Sequence, residues 1–182
     1  ASLDVAAGYI LNAAGNTTIE AGGVLNLIDN AELYLKGDFT NDGTINAGTG
    51  STISVNGTTE QALNNITAYN LNVSGSQTKT FGGTIDVANN LTIGGALDLG
   101  VSSVSVGGNM SLTGTIAPSL SMVTFDGTAQ QTISGNKQIP MYDVVFDNTF
   151  ATAPQILLTT NMAVNNSLTL TDGIISIPDN SE

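Results

Sequence analysis

The chain has 182 residues and a formal charge of −12, with 41% hydrophobic but only 10% charged residues. With three lysines and no arginine, histidine or cysteine, it cannot neutralise a row of phosphates, build a zinc, haem, iron–sulfur or thiol site, or assemble a Ser-His-Asp triad. No apolar run approaches the roughly 20 residues of a membrane helix, and the negative sign argues against an anionic membrane surface as partner.

The polar surface must instead come from neutral residues: 24 Thr, 21 Gly, 20 Asn and 15 Ser. These types sit low on the helix scale. Taken in chain order, apolar residues recur at every second position. Examples are Leu33-Tyr-Leu35, Ile53-Ser-Val55, Leu71-Asn-Val73, Leu91-Thr-Ile93, Leu97-Asp-Leu99, Val104-Ser-Val106 and Leu168-Thr-Leu170. Each predicts a very short strand with one buried face, bounded by the Gly, Asn, Asp or Ser that turns require.

The spacing between strands carries the fold. The first inward residues Leu91, Leu97, Val104, Met110, Ile116 and Val123 step by 6, 7, 6, 6 and 7, so every third member recurs at an offset of 19. Upstream, Ile19, Leu25, Leu33, Phe39, Ile45 and Ile53 step by 6, 8, 6, 6 and 8. A strand and its turn packed into steps this small leave no room for a hairpin meander. Three such faces per coil of about 20 residues describe an all-β parallel β-helix, a β-solenoid. Roughly nine coils at about 4.8 Å each then span about 43 Å. Residues 1–182 read as one continuous segment of a longer array, since the apolar pattern runs from Ile19 to Ile177 with no cap at either end.

A longer repeat overlies the coil. Gly37–Ile45 aligns with Gly108–Ile116 at an offset of 71, and Val55–Leu63 with Phe125–Ile133 at 70. Tyr69–Val73 then matches Tyr142–Phe146, and Asn90–Ile93 matches Ser167–Leu170, at offsets of 73 and 77. The second copy therefore carries insertions, one of them expected at Asn136–Pro140.

Three stretches, 125–135 (FDGTAQQTISG), 69–83 (YNLNVSGSQTKTFGG) and 90–100 (NLTIGGALDLG), resemble repeats of the very large surface proteins of gliding and related Bacteroidota. The similarity runs from about Gly37 to Ile177. It implies export by the type IX secretion system, an extracellular place on the bacterial cell surface, and a role as adhesin or motility filament. Filamentous-haemagglutinin-like and autotransporter passenger solenoids are the neighbouring alternatives.

Candidate sites are few. Lys36, Lys79 and Lys137 fall in different coils, which does not suit a polysaccharide lyase. Asp143 with Asp147, and Asp38 with Asp42, are possible carboxylate pairs for a glycoside hydrolase. The repeat replaces Asp38 by Asn109, Asp42 by Thr113 and Asp143 by Asn70, which reads as turn and solubility chemistry. Asp38, Asn41 and Asp42 before Gly43 could approach a calcium ion, but lack the spacing of an EF-hand or nonapeptide loop. Phe39, Phe125 and Phe146 fall on the inward phase, whereas Tyr34 should face outward. Seven Asn-X-Ser/Thr sites (Asn16, Asn56, Asn65, Asn72, Asn90, Asn109, Asn165) compare with about four expected by chance. The many Asn instead suit amide ladders at coil corners.

The expectation is a structural or adhesive segment, a shaft or filament with no catalytic, cofactor or metal residues. Its expected partners are neighbouring repeats, copies of itself end to end, surface glycans or secretion machinery, with no nucleic acid and no membrane insertion. The alternative is a carbohydrate-binding or carbohydrate-cleaving β-helix.

Overall fold

A strand of three or four residues cannot stand alone, so each must find its backbone partners on a neighbouring coil. The computed structural model describes residues 1–177; positions 178–182 of the expected 1–182 segment lie outside the described residues. All strand pairings are parallel, and there is no helix among the described residues.

The chain winds through three faces in turn. The first face begins with Ser2–Val5, Val24–Leu27 and Thr44–Ala47. The second, among the described residues, is an unbroken nine-stranded sheet from Ile10–Ala13, through Leu91–Ile93, to Ile175–Ser176. The third begins with Thr17–Ile19 and Phe39–Asn41. Four longer strands, Gln61–Ala68, Lys79–Val87, Ile139–Asp147 and Met162–Asp172, run through the corner from the third face onto the first, so that beyond the separate three-stranded start of the first face the two faces belong to one sheet.

The period of 19 is the physical coil. Leu91 pairs with Met110, Leu97 with Ile116 and Val104 with Val123. All six are buried, with Ile116 the most exposed at 9%. Inward residues stack on like residues: Leu33, Ile53, Leu71, Leu91 and Met110 on the second face, and Ile85, Val104, Val123 and Val144 on the first. Each fully buried Leu, Ile or Val contributes about 1.5–3 kcal/mol. Phe125 and Phe146 are stacked neighbours, with ring centroids 5.4 Å apart. The polar residues between them face out, where Thr and Ser suit an extended backbone.

Upstream, one expected stack is different. Ile19 pairs with Asn41 and Thr17 with Phe39, so Ile19 and Phe39 are not stacked partners. The first coils are longer: Leu11 meets Leu33, at an offset of 22. The expected insertion narrows to a turn at 136–138, because Pro140 already lies in the strand Ile139–Asp147. A second extension is the loop 148–155.

The longer repeat does not keep to its face. Leu33–Leu35 lies on the second face, but Val104–Val106, which stands in the same place before Gly108 at the same offset of 71, lies on the first. Phe39 is on the third and its counterpart Met110 on the second; Ile45 is on the first and Ile116 on the third. With each through-corner strand counted once per face, one repeat is eleven strands, three coils and two-thirds of a fourth. The next copy therefore starts one face round.

The corners explain how this is tolerated. Backbones pass so closely where Gly43 lies over Gly23 that a β-carbon on Gly43 would overlap the Gly23 carbonyl oxygen. Gly114 meets Gly95 in the same way at a different corner. The Gly-Thr-Ile of both copies is the same local device used at two corners.

Phe125 is fully buried and stacked, so Phe125→Ala should cost about 3–5 kcal/mol in urea unfolding.

Candidate functional site

Ladders between coils are interrupted where the chain turns, leaving backbone N–H and C=O groups that side chains must meet. Several amide and carboxylate side chains are placed there to do so. Gln61 and Gln131, equivalent in the two copies, are buried at such a corner. Gln131 Oε1 accepts from the Gly127 N–H at 3.0 Å, and its Nε2 donates to the carbonyls of Val106 (2.7 Å) and Gly108 (2.6 Å). Gln61 repeats this with the Gly57 N–H (2.9 Å) and the carbonyls of Leu35 (3.3 Å) and Gly37 (2.5 Å).

A second device is an Asn or Asp just before a strand or at its first residue, whose Oδ1 accepts the N–H of the residue stacked above it. Asn70 serves Asn90 at 3.4 Å, Asn90 serves Asn109 at 3.0 Å, and Asn109 serves Thr132 at 2.7 Å. Asn16 serves Asp38, and Asp38 serves Ala62, at 3.0 and 2.8 Å. These are the corner ladders that the Asn content suggested. A further amide row lies on the outer side of the first face, where Asn46 Nδ2 donates to Asn26 Oδ1 and Asn26 Nδ2 to Asp4 Oδ1.

The candidate acids take their places in this scheme. Asp143 Oδ1 accepts from the Ser167 hydroxyl, the Asn166 amide (2.7 Å) and the Ser167 N–H (3.0 Å). Chiefly because of the Ser167 hydroxyl, then the Asn166 amide, its carboxyl is held below the usual carboxylate range. That suits a permanent acceptor and not a proton donor. Asp143 and Asp147 lie on one strand, about 13 Å apart along it, beyond the roughly 5–10 Å of a hydrolase pair. Asp38 and Asp42 flank opposite ends of the strand Phe39–Asn41, and Asn41 Oδ1 accepts from the Gly43 N–H at 3.0 Å. Asn41 and Asn65 also exchange side-chain amide bonds with each other's carbonyls, at 3.0 and 3.1 Å.

Tyr34 is half-buried on the outer side of the second face. Its hydroxyl donates to Glu32 Oε2 at 2.7 Å, and that bond, with the glutamate's charge, raises its pKa. Phe39, Phe125 and Phe146 are core residues, as their phase predicted.

Two features escaped the sequence. Lys79 is fully buried, and its Nζ donates to the carbonyls of Gly57 (2.8 Å) and Thr59 (2.7 Å). Burial lowers its pKa. Its strand position faces Gln61 on one side and Leu97 on the other, so an apolar residue would fit the pattern equally well. The second feature is an acidic pair on the first face. Ser105 Oγ donates to Asp126 Oδ2 at 2.6 Å, and the pKa of Asp86 is raised by burial and then by Asp126. The coil period was the available signal, since Asp86 pairs with Ser105 one period on. Among the described residues no three His, Cys, Asp or Glu side chains gather to hold a metal ion.

The chain matches no protein family, no curated protein and no solved structure.

Removing the corner amide with Gln131→Ala leaves a buried N–H and two carbonyls without their partner, and Asn148 Nδ2 loses an acceptor at 2.9 Å. The loss should be about 3 kcal/mol, read as a lower urea midpoint.

Lys79 gives a pH dependence. Its folded pKa lies below its ordinary 10.5, so between the two the unfolded chain binds more protons. Its destabilising contribution is full below the folded pKa and relieved as pH rises toward 10.5. The stability difference between wild type and Lys79→Met should therefore shift in favour of wild type as pH climbs from neutral to about 10. A difference that stays flat would contradict the buried charge.

Proposed function

We propose that the chain is a shaft segment of an extracellular bacterial surface protein, serving adhesion or filament building without chemistry of its own. The observation that carries this reading is the fate of the polar side chains. Gln61, Gln131, Asn70, Asn90, Asn109, Asp38 and Asp143 all hydrogen-bond to backbone across the coils. Such groups are committed to holding the rod together and are not gathered around a substrate. Load along the axis would fall on the parallel ladders, of which the second face alone has nine strands.

The resemblance of 69–83, 90–100 and 125–135 to Bacteroidota surface repeats supports the cell-surface location and export by the type IX system. End-to-end contact with similar coils, in the same chain or another copy, is the partner this reading favours. Core-phase side chains are exposed on the outermost described coils: Leu3 at 52%, Leu168 at 53% and Leu170 at 63%. A further parallel coil would cover them and pair the open strand edges.

Sedimentation at several concentrations, with and without acidic and neutral polysaccharides, tests the proposal. Association that grows with protein concentration, is indifferent to polysaccharide and leaves it uncleaved is the expected result. A strictly monomeric chain would remove the end-to-end contact. Polysaccharide cleavage that Asp143→Asn or Asp147→Asn abolishes would replace the shaft with a glycoside-cleaving β-helix.

A further inference from the structure

One segment of the repeat occurs three times, and each occurrence lies on a different face. Asn16-Thr-Thr-Ile19 enters the third face, Asn90-Leu-Thr-Ile93 the second and Ser167-Leu-Thr-Leu170 the first. Their middle threonines, Thr18, Thr92 and Thr169, are all exposed. The Gln corners agree. Thr58, in the loop before Gln61, sits between the second and third faces, whereas Thr128, in the loop before Gln131, sits between the first and second. Both are exposed.

We propose that whatever this surface repeats, it displays on a helical track, each copy turned by one face about the axis. Successive equivalents are three and two-thirds coils apart, about 18 Å along the rod. They return to the same side only after eleven coils, about 53 Å. The track restricts partners in two ways. A flat, regular lattice such as a crystalline polysaccharide or ice needs one residue type repeated on one face at each step, and this track spreads equivalents over three. The kind of partner that fits takes one corner loop or one strand at a time. A rigid bivalent partner approaching from one side cannot bridge two successive copies, and so gains no avidity from them. The helical display is the same whether the rod is a shaft or a carbohydrate binder.

Spin labels on the full chain test it with two pairs. Thr58→Cys with Lys137→Cys joins one corner to itself four coils on, at about 19 Å. Thr58→Cys with Thr128→Cys joins equivalent loops of the two copies. One side of the coil, about six residues or 20 Å, then adds to the axial 18 Å, giving about 27 Å. All three positions are exposed, and an unchanged β circular dichroism spectrum confirms that each variant is folded. The helical track requires the 58–128 distance to exceed the 58–137 distance. If the order is reversed or the two are equal, the repeat is in register with the coil and the inference is overturned.

Discussion

Parallel pairing between successive coils is the constraint on which the rest of this molecule depends. A parallel partner cannot be reached by a tight hairpin, so the chain must complete a circuit before it meets itself. Every paired strand residue then lies directly above one a coil earlier, and whatever that position needs, its neighbours need too. Apolar residues stack on apolar ones into a core, and amides stack on amides. The corners where the ladder breaks are left to Asn, Asp, Gln and Gly.

The same constraint makes acids and amides interchangeable. What the corner requires is an oxygen placed to accept one N–H, which Asn109 and Asp38 supply equally well in the two copies. Charge is a by-product of the choice of Asp. It is cheap at an exposed corner such as that of Asp143, where three donors lie close by. Lys79 is the contrasting case, since its ammonium is buried and met only by carbonyl dipoles. A buried ion met by dipoles alone weakens a fold relative to an apolar residue of the same size. The hydrogen bonds to Gly57 and Thr59 tie down the loop before Gln61, and Asn148 makes the matching bond to Ala129 in the second copy without a charge.

How far the sequence could be read depended on how regular the coils are. From Ile85 through Val104 to Val123 the pairing offset holds at 19, and the stacks Leu91–Met110, Leu97–Ile116 and Val104–Val123 were legible from spacing alone. Turns elsewhere vary in length, and Phe39 meets Leu63 at an offset of 24. Period counting therefore misassigned Ile19, whose neighbour is Asn41. Lys79 was illegible because an alternating pattern does not say that a charged residue has taken an inward position. The Gln corner was in plain sight, since Gln61 and Gln131 are retained where the acids are exchanged. Its meaning lay in backbone groups, which no side-chain pattern reports.

The mismatch between repeat and coil was also present in the numbers, because 71 is not a multiple of 19. It bears on how such a rod can grow. If each face had its own chemistry, a duplicated unit would have to contain whole coils, or every later strand would land on a foreign face. Here the three faces share one core chemistry, and the same corner devices work at each. A duplication therefore needs only a whole number of strands. Insertions such as the turn at 136–138 and the loop 148–155 lengthen a corner without shifting the inward phase of the strands beyond it. Val144 still lies over Val123 after the circuit before the longer loop, and Leu158 over Ile133 after it. A fold whose rules are local to one strand and one corner accepts lengthening by parts of a coil, and its surface is turned about the axis as a consequence.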